Sequence, residues 1–140
     1  MSVEFEVTFQ PADEDTRRLA RELQSHAADF IDTDGFESVA VFLRDDKGDA
    51  VGGVSGYLNW NWLQVSLLWV DESLRGEGYG EKLMAMIEDL GREKGCTRAH
   101  LSTFSFQAKA FYESLGYEVF ATLDDYPPGH ARSFMRKVLQ

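Results

Sequence analysis

The sequence predicts an α/β fold, a mixed sheet flanked by helices in the order β-α-β-β-β-α-β-α-β-β. Three observations carry this. Short runs of strand character recur along the chain, separated by turn-forming residues. Three of those runs follow one another without a helix, which excludes a doubly wound parallel sheet. Finally, "LRGEGYGEKL" (74–83) sets three alternating glycines between a strand pattern and a helix pattern.

Taken in order, "VEFEVTFQ" (3–10) alternates apolar and polar residues and predicts a half-buried strand. Pro11 leads into a helix in which Leu19, Leu23, Ala27 and Phe30 recur at helical spacing, and "TDG" (33–35) closes it. "SVAVFLRDD" (38–46) and "AVGGVSGYLNW" (50–60) predict strands joined by the hairpin turn "DDKGD", and "WLQVSLLWV" (62–70) extends the meander. The glycine turn then opens a helix with Leu83, Met86, Ile87 and Leu90 on its apolar face, ending near "REKG" with Gly95 as cap. "RAHLSTF" (98–104) is the next strand and "QAKAFYESLG" (107–116) a short helix. "YEVFATL" (117–123) and "ARSFMRKVL" (131–139) are closing strands joined by "DDYPPGH".

Bulk properties narrow the function. A chain of 140 residues without a linker-like break predicts one domain spanning 1–140. No apolar run reaches membrane-spanning length and the N-terminus lacks signal-peptide features, so the expected location is cytoplasmic. With 24 acidic against 14 basic residues the formal charge is −10, which argues against nucleic-acid binding. The acidity reads either as a solvated surface or as a field attracting cationic substrates. Cys96 is the single cysteine, so an internal disulfide is excluded and a small buried side chain is expected.

The glycine turn has two readings on spacing alone. It fits neither a P-loop, which needs Lys-Ser or Lys-Thr, nor G-x-G-x-x-G, since its third glycine comes one residue early. A purely structural tight turn remains, as does a pyrophosphate cradle, in which glycines let backbone approach the anion and the helix start supplies N–H groups. In the second reading Arg75 adds a charged donor.

Beyond spacing, "VDESLRGEGYGEKLM" (70–84) resembles the acetyl-CoA signature of the GNAT superfamily of N-acyltransferases, and "AFYESLGYEVF" (110–120) resembles its later "YEKLGF" segment. The element order matches along essentially the whole chain. The resemblance implies the GNAT fold, a mostly antiparallel mixed sheet whose central strands, 62–70 and 98–104, splay apart. The pantetheine arm of acetyl-CoA would lie in the gap. Backbone groups of Leu68 and Val70 would then pair with pantetheine amides, and Arg75, Gly76, Gly78, Tyr79 and Gly80 would hold the pyrophosphate. Ser105 stands where many relatives place a CoA-contacting asparagine.

The resemblance also assigns chemistry. Tyr112, a core aromatic by spacing, matches the tyrosine that often protonates the departing thiolate. Gln64 stands where the histone-acetylating branch has a glutamate base, and an amide cannot take that role. His100 on its strand and His130 in the proline loop are the remaining candidates. His130 is placed beside Tyr112 as catalytic because its loop would border the acceptor pocket. The implied activity is transfer of acetyl from acetyl-CoA to a primary amine of a small, cationic acceptor, by direct attack in a ternary complex. No metal, nucleic acid or membrane is expected as partner, and a homodimer would be ordinary for the family. The alternative is a non-catalytic acyl-CoA-binding or sensing module on the same fold.

Overall fold

The computed structural model describes residues 1–32 and 35–140 and divides the chain into two compact units, Met1–Asp34 and Gly35–Gln140. Thr33 and Asp34, the first two residues of the expected "TDG" stop, lie outside the described residues.

Within the first unit, helix α1 spans Asp13–Ala27, with Asp13, Glu14 and Asp15 in its first turn where the helix dipole favours negative charge. The strand expected over 3–10 does not form, and those residues are all exposed. Alternation alone does not make a strand. Its backbone groups need a ladder, and the first unit offers only a helix.

The second unit is a six-stranded sheet in the order β1-β2-β3-β4-β6-β5. Strands β1 (Phe36–Arg44), β2 (Ala50–Asn59) and β3 (Trp62–Val70) form the antiparallel meander. In the β1–β2 turn, Asp45 accepts the Lys47 and Asp49 N–H groups on one carboxylate oxygen, at 2.9 and 3.0 Å. A 3-10 turn (Glu72–Leu74) leads to α2 (Tyr79–Glu93), then come β4 (Arg98–Phe104), α3 (Lys109–Ser114), β5 (Glu118–Asp124) and β6 (Ala131–Val138). α3 is shorter than expected because the Gln107 side chain accepts the Phe104 N–H at 3.0 Å, holding 104–108 as a turn.

The core lies between the sheet and α2. Leu83, Met84 and Ile87 of α2 meet Val54, Leu63, Val65, Ala99, Leu101 and Met135 of the sheet. Each of the larger side chains contributes about 1.5–3 kcal/mol on burial. Cys96 is buried beside them, and burial pushes its thiol above the ordinary range, which suits packing rather than nucleophilic chemistry. Glu88 is buried too, accepting from the Tyr117 hydroxyl at 2.9 Å and from Lys137 Nζ at 2.8 Å.

One irregularity in this sheet makes the site. Ser55 pairs with Leu67 and Gly56 with Val65, so Ser66 is an extra, bulged residue on β3. A Cβ at Gly56 would overlap the Gln64 carbonyl oxygen, so the strand facing the bulge requires a glycine there. β3 and β4 run parallel and stay in register only over Trp62–Arg98, Leu63–Ala99 and Gln64–His100. Where the bulge bends β3, that pairing ends.

Candidate active site

The site is built around the gap that opens beyond Gln64 and His100. Residues along an antiparallel strand alternately point their N–H and C=O groups to one side and the other. Asp71 N–H donates to the Val51 carbonyl at 2.8 Å, on the β2 side. By alternation, Leu68 and Val70 turn their backbone groups towards the gap, where β4 no longer pairs. The Val70 carbonyl accepts one hydrogen bond there, from Arg75 Nε at 3.0 Å.

The glycine turn closes the outer end of this gap, and its three glycines have two different reasons. Gly76 and Gly78 take left-handed backbone, with φ of 82° and 85°, and Gly78 is the residue from which α2 starts. A side chain there would be strained although space around both is open. Gly80 lies inside α2, and a Cβ on it would come within 3.4 Å of the Phe111 ring. Asp71 shapes the approach by accepting the Ser73 N–H at 3.1 Å, and its hydrogen bonds to Ser73 hold its carboxyl below the usual range.

Leu68, Val70, Arg75, Gly76, Gly78, Tyr79 and Gly80, all expected as cofactor-binding, line one cavity of about 620 Å³. Trp69, Leu74, Glu81, Gln107, Ala108 and Phe111 complete it. The first-turn N–H groups of α2 open at the glycine turn and have no partner within the helix.

Ser105 lines no part of that cavity. Its hydroxyl accepts the Ala131 N–H at 3.1 Å and lies 3.3 Å from His130 Nδ1, tying the turn after β4 to the start of β6. His130 packs edge-on against Phe106 and lines neither this cavity nor the next. Tyr112 is adjacent to Phe111 and half-buried, its ring edge-on to Phe111 and Tyr117. Burial raises its hydroxyl above the ordinary value of 10.0, so it is protonated at neutral pH.

A second cavity of about 290 Å³ lies at the inner end of the gap, lined by Gln64, Val65, Ser66, His100, Leu101, Ser102, Arg132 and Phe134. Along β4, Ala99, Leu101 and Thr103 are buried while His100, Ser102 and Phe104 alternate with them, so the polar lining comes from the face opposite α2. Ser66 and Leu68 stand two residues apart on β3, about 7 Å at the usual strand rise. On β3 the small cavity thus ends at Ser66 and the larger one begins at Leu68. His100, a remaining candidate from sequence, lines this small cavity. It faces Gln64 here, edge-on to Trp62, and desolvation lowers its pKa below 6.5, leaving it neutral at pH 7. Arg132 also lines this cavity and was not singled out from sequence, because its strand carries two further cations, Arg136 and Lys137, and nothing local distinguishes the three.

A strand edge left open beside a glycine-rich helix start, with a polar cavity at the inner end of the gap, fits an acyl-transfer enzyme. The chain belongs to the acetyltransferase (GNAT) family, whose model matches residues 4–117. It is 40% identical over 104 residues to blasticidin-S acetyltransferase of Streptomyces morookaense, covering 74% of this chain and 76% of that one. It is 33% identical over 97 residues to an acetyltransferase of Agrobacterium fabrum, covering 69% and 71%. An acetyltransferase crystal structure from Bacillus cereus superimposes with a TM-score of 0.83 at 30% identity, over 95% of this chain and 97% of that one. The expected family and fold are thus found. Among the described residues, no helix is long and apolar enough to cross a membrane.

Proposed function

We propose that this acetyltransferase moves the acetyl group of acetyl-CoA to a primary amine of a small acceptor, by direct attack within a ternary complex. The observation that carries the reading is the placing of two cavities along β3, one on each side of the point where its pairing with β4 ends. The larger suits the cosubstrate. Its glycine turn and α2 start would hold the pyrophosphate, and the outward backbone groups of Leu68 and Val70 would hold the pantetheine amides. The smaller suits the amine, which would reach the thioester through the gap.

In this reading the amine must lose a proton before or during attack. Gln64 can orient it but cannot accept its proton. His100, neutral and in register beside Gln64, is the better-placed acceptor, directly or through water, whereas His130 is held outside the cavity by Ser105 and Phe106. Tyr112 would then donate a hydrogen bond to the departing sulfur. A phenol raised above 10 is a weaker acid than an ordinary thiol near 8.5, so full proton transfer from it would be uphill. Its role is hydrogen-bond stabilisation more than proton delivery.

Blasticidin S is the acceptor to try first, given the similarity to the Streptomyces enzyme named for it. The experiment is a thiol-release assay with acetyl-CoA over blasticidin S, other aminated antibiotics, amino acids and polyamines. Amine-dependent thiol release, with an acetylated product by mass spectrometry, is expected. Saturable acetyl-CoA binding without release for any amine would favour an acyl-CoA-binding module instead.

A further inference from the structure

We propose that Arg132 is the anchor for a carboxylate on the acceptor, so that the acceptor class is an amine that also carries a carboxylate. This deepens the preceding reading of the small cavity as the acceptor site and rests on it.

Arg132 opposes Phe104 across the β4–β6 pair and lines the small cavity with Gln64, Ser66, His100 and Ser102. Its guanidinium is immobilised. Nε and Nη2 both donate to Ser102 Oγ, at 3.0 and 2.7 Å, and Nη1 donates to the Tyr126 hydroxyl at 3.3 Å. Three aromatic rings surround it, with the guanidinium carbon 5.4 Å from the centre of Phe104, 5.5 Å from Tyr126 and 5.0 Å from Phe134. Of the five N–H donors of an arginine, these bonds use three, leaving one on each terminal nitrogen. A pair of donors on the two terminal nitrogens matches the two oxygens of a carboxylate.

The charge pattern points the same way. The chain has ten more acidic than basic residues, yet none of the described carboxylates in residues 35–140 forms an ion pair with Arg132. The ion pairs that do form go to Arg92, Lys94, Arg136 and Lys137. No Asp or Glu lines the cavity. A part-buried cation without a counter-ion is unfavourable, and a ligand anion would complete it. A purely cationic acceptor would meet this guanidinium with repulsion. With its carboxylate on Arg132, an acceptor would extend its amine along the cavity towards Gln64, Ser66 and the split, where the acetyl group would lie.

The competing account is that Arg132 only staples β6 to β4 through Ser102. The deciding measurement is made on the intact protein and needs no turnover. The Nε–H signal of Arg132, identified by its absence in Arg132→Gln, is followed by NMR in the CoA-saturated protein. Glycine, β-alanine and acetate are titrated against glycinamide, β-alaninamide and acetamide. A saturable shift with the carboxylates, at least tenfold weaker for the amides, is expected. No shift, or an equal response to acid and amide, overturns the proposal. In parallel, matched acids and amides are compared in the thiol-release assay. A drop of tenfold or more on amidation is expected in the wild type, and its loss in Arg132→Lys. Turnover confined to amines without a carboxylate would overturn the proposal. Thiol release from no amine, with the Arg132 signal still shifting, would instead count against the acetyl-transfer reading and leave the anion site standing.

Discussion

Gln64 of β3 and His100 of β4 are the last residues at which the two central strands stay in register, and the bulge at Ser66 parts them immediately afterwards. The larger cavity begins at Leu68, two residues past the bulge, and the small cavity is walled by Gln64 and His100 themselves.

The glycines separate fold from function. Gly80→Ala places a Cβ at ordinary contact distance from Phe111 and improves helix propensity by about 1 kcal/mol. Thermal unfolding should show an unchanged or raised Tm, while acetyl-CoA binding weakens tenfold or more because the new methyl occupies the cradle. Gly78→Ala should weaken both, since left-handed backbone costs a non-glycine residue about 1–2 kcal/mol.

Tyr112→Phe removes a hydroxyl that has no hydrogen-bond partner among the described side chains, so the fold should be little disturbed. We expect turnover to fall about 10²-fold, within the usual range for a proton-transfer or hydrogen-bonding group, with the acetyl-CoA Kd unchanged. Steady-state kinetics beside calorimetry decides it. Unchanged turnover would remove Tyr112 from the reaction.

His100 gives a pH prediction with a definite sign. Its pKa is lowered on folding, so the unfolded chain binds the proton more readily. The stability it contributes is present above its unfolded value near 6.5 and is lost as pH falls through the lower folded value. Activity should fall over that same acidic window, because only the neutral ring can accept a proton. His100→Gln should flatten this part of both profiles, measured by denaturant unfolding and by initial rate.

Glu88 is a structural prediction. Its carboxylate is buried and held by Tyr117 and Lys137, joining α2 to the start of β5 and to β6. Burial, with the Glu88 carboxylate beside it, pushes the Tyr117 hydroxyl far up, so it stays a donor at every working pH. Removing one partner of a buried charge pair costs about 3–5 kcal/mol. Glu88→Ala should show a loss of that size in urea unfolding, and a loss under 1 kcal/mol would mean that water replaces the carboxylate.

How much of this was legible in the sequence depended on whether the signal was local. The meander, the glycine turn and the β4-α3-β5-β6 order follow from periodicity and turn chemistry, and the structure places most of them within two residues of the expected bounds. The strand over 3–10 failed because pairing is not a local property. Val3, Phe5, Val7 and Phe9 alternate correctly but stand fully exposed without a ladder. The glycine turn was legible because Gly76 and Gly78 carry a backbone requirement that few other residues satisfy. His100, Arg132 and Glu88 were not, because their meaning comes from neighbours on other strands or helices. A histidine in "RAHLSTF" says nothing of Gln64 across the sheet, and Arg132 says nothing of Ser102 until β6 pairs with β4.

On this proposal the Gly76–Gly80 turn and the open edge of β3 form an acetyl-CoA site. Its most direct test is a calorimetric titration of the folded protein with acetyl-CoA, beside CoA and ATP. Saturable binding of acetyl-CoA and CoA near micromolar, about −8 kcal/mol, with ATP much weaker, is the predicted result. No saturable binding of acetyl-CoA, or binding of ATP equally well, would contradict it.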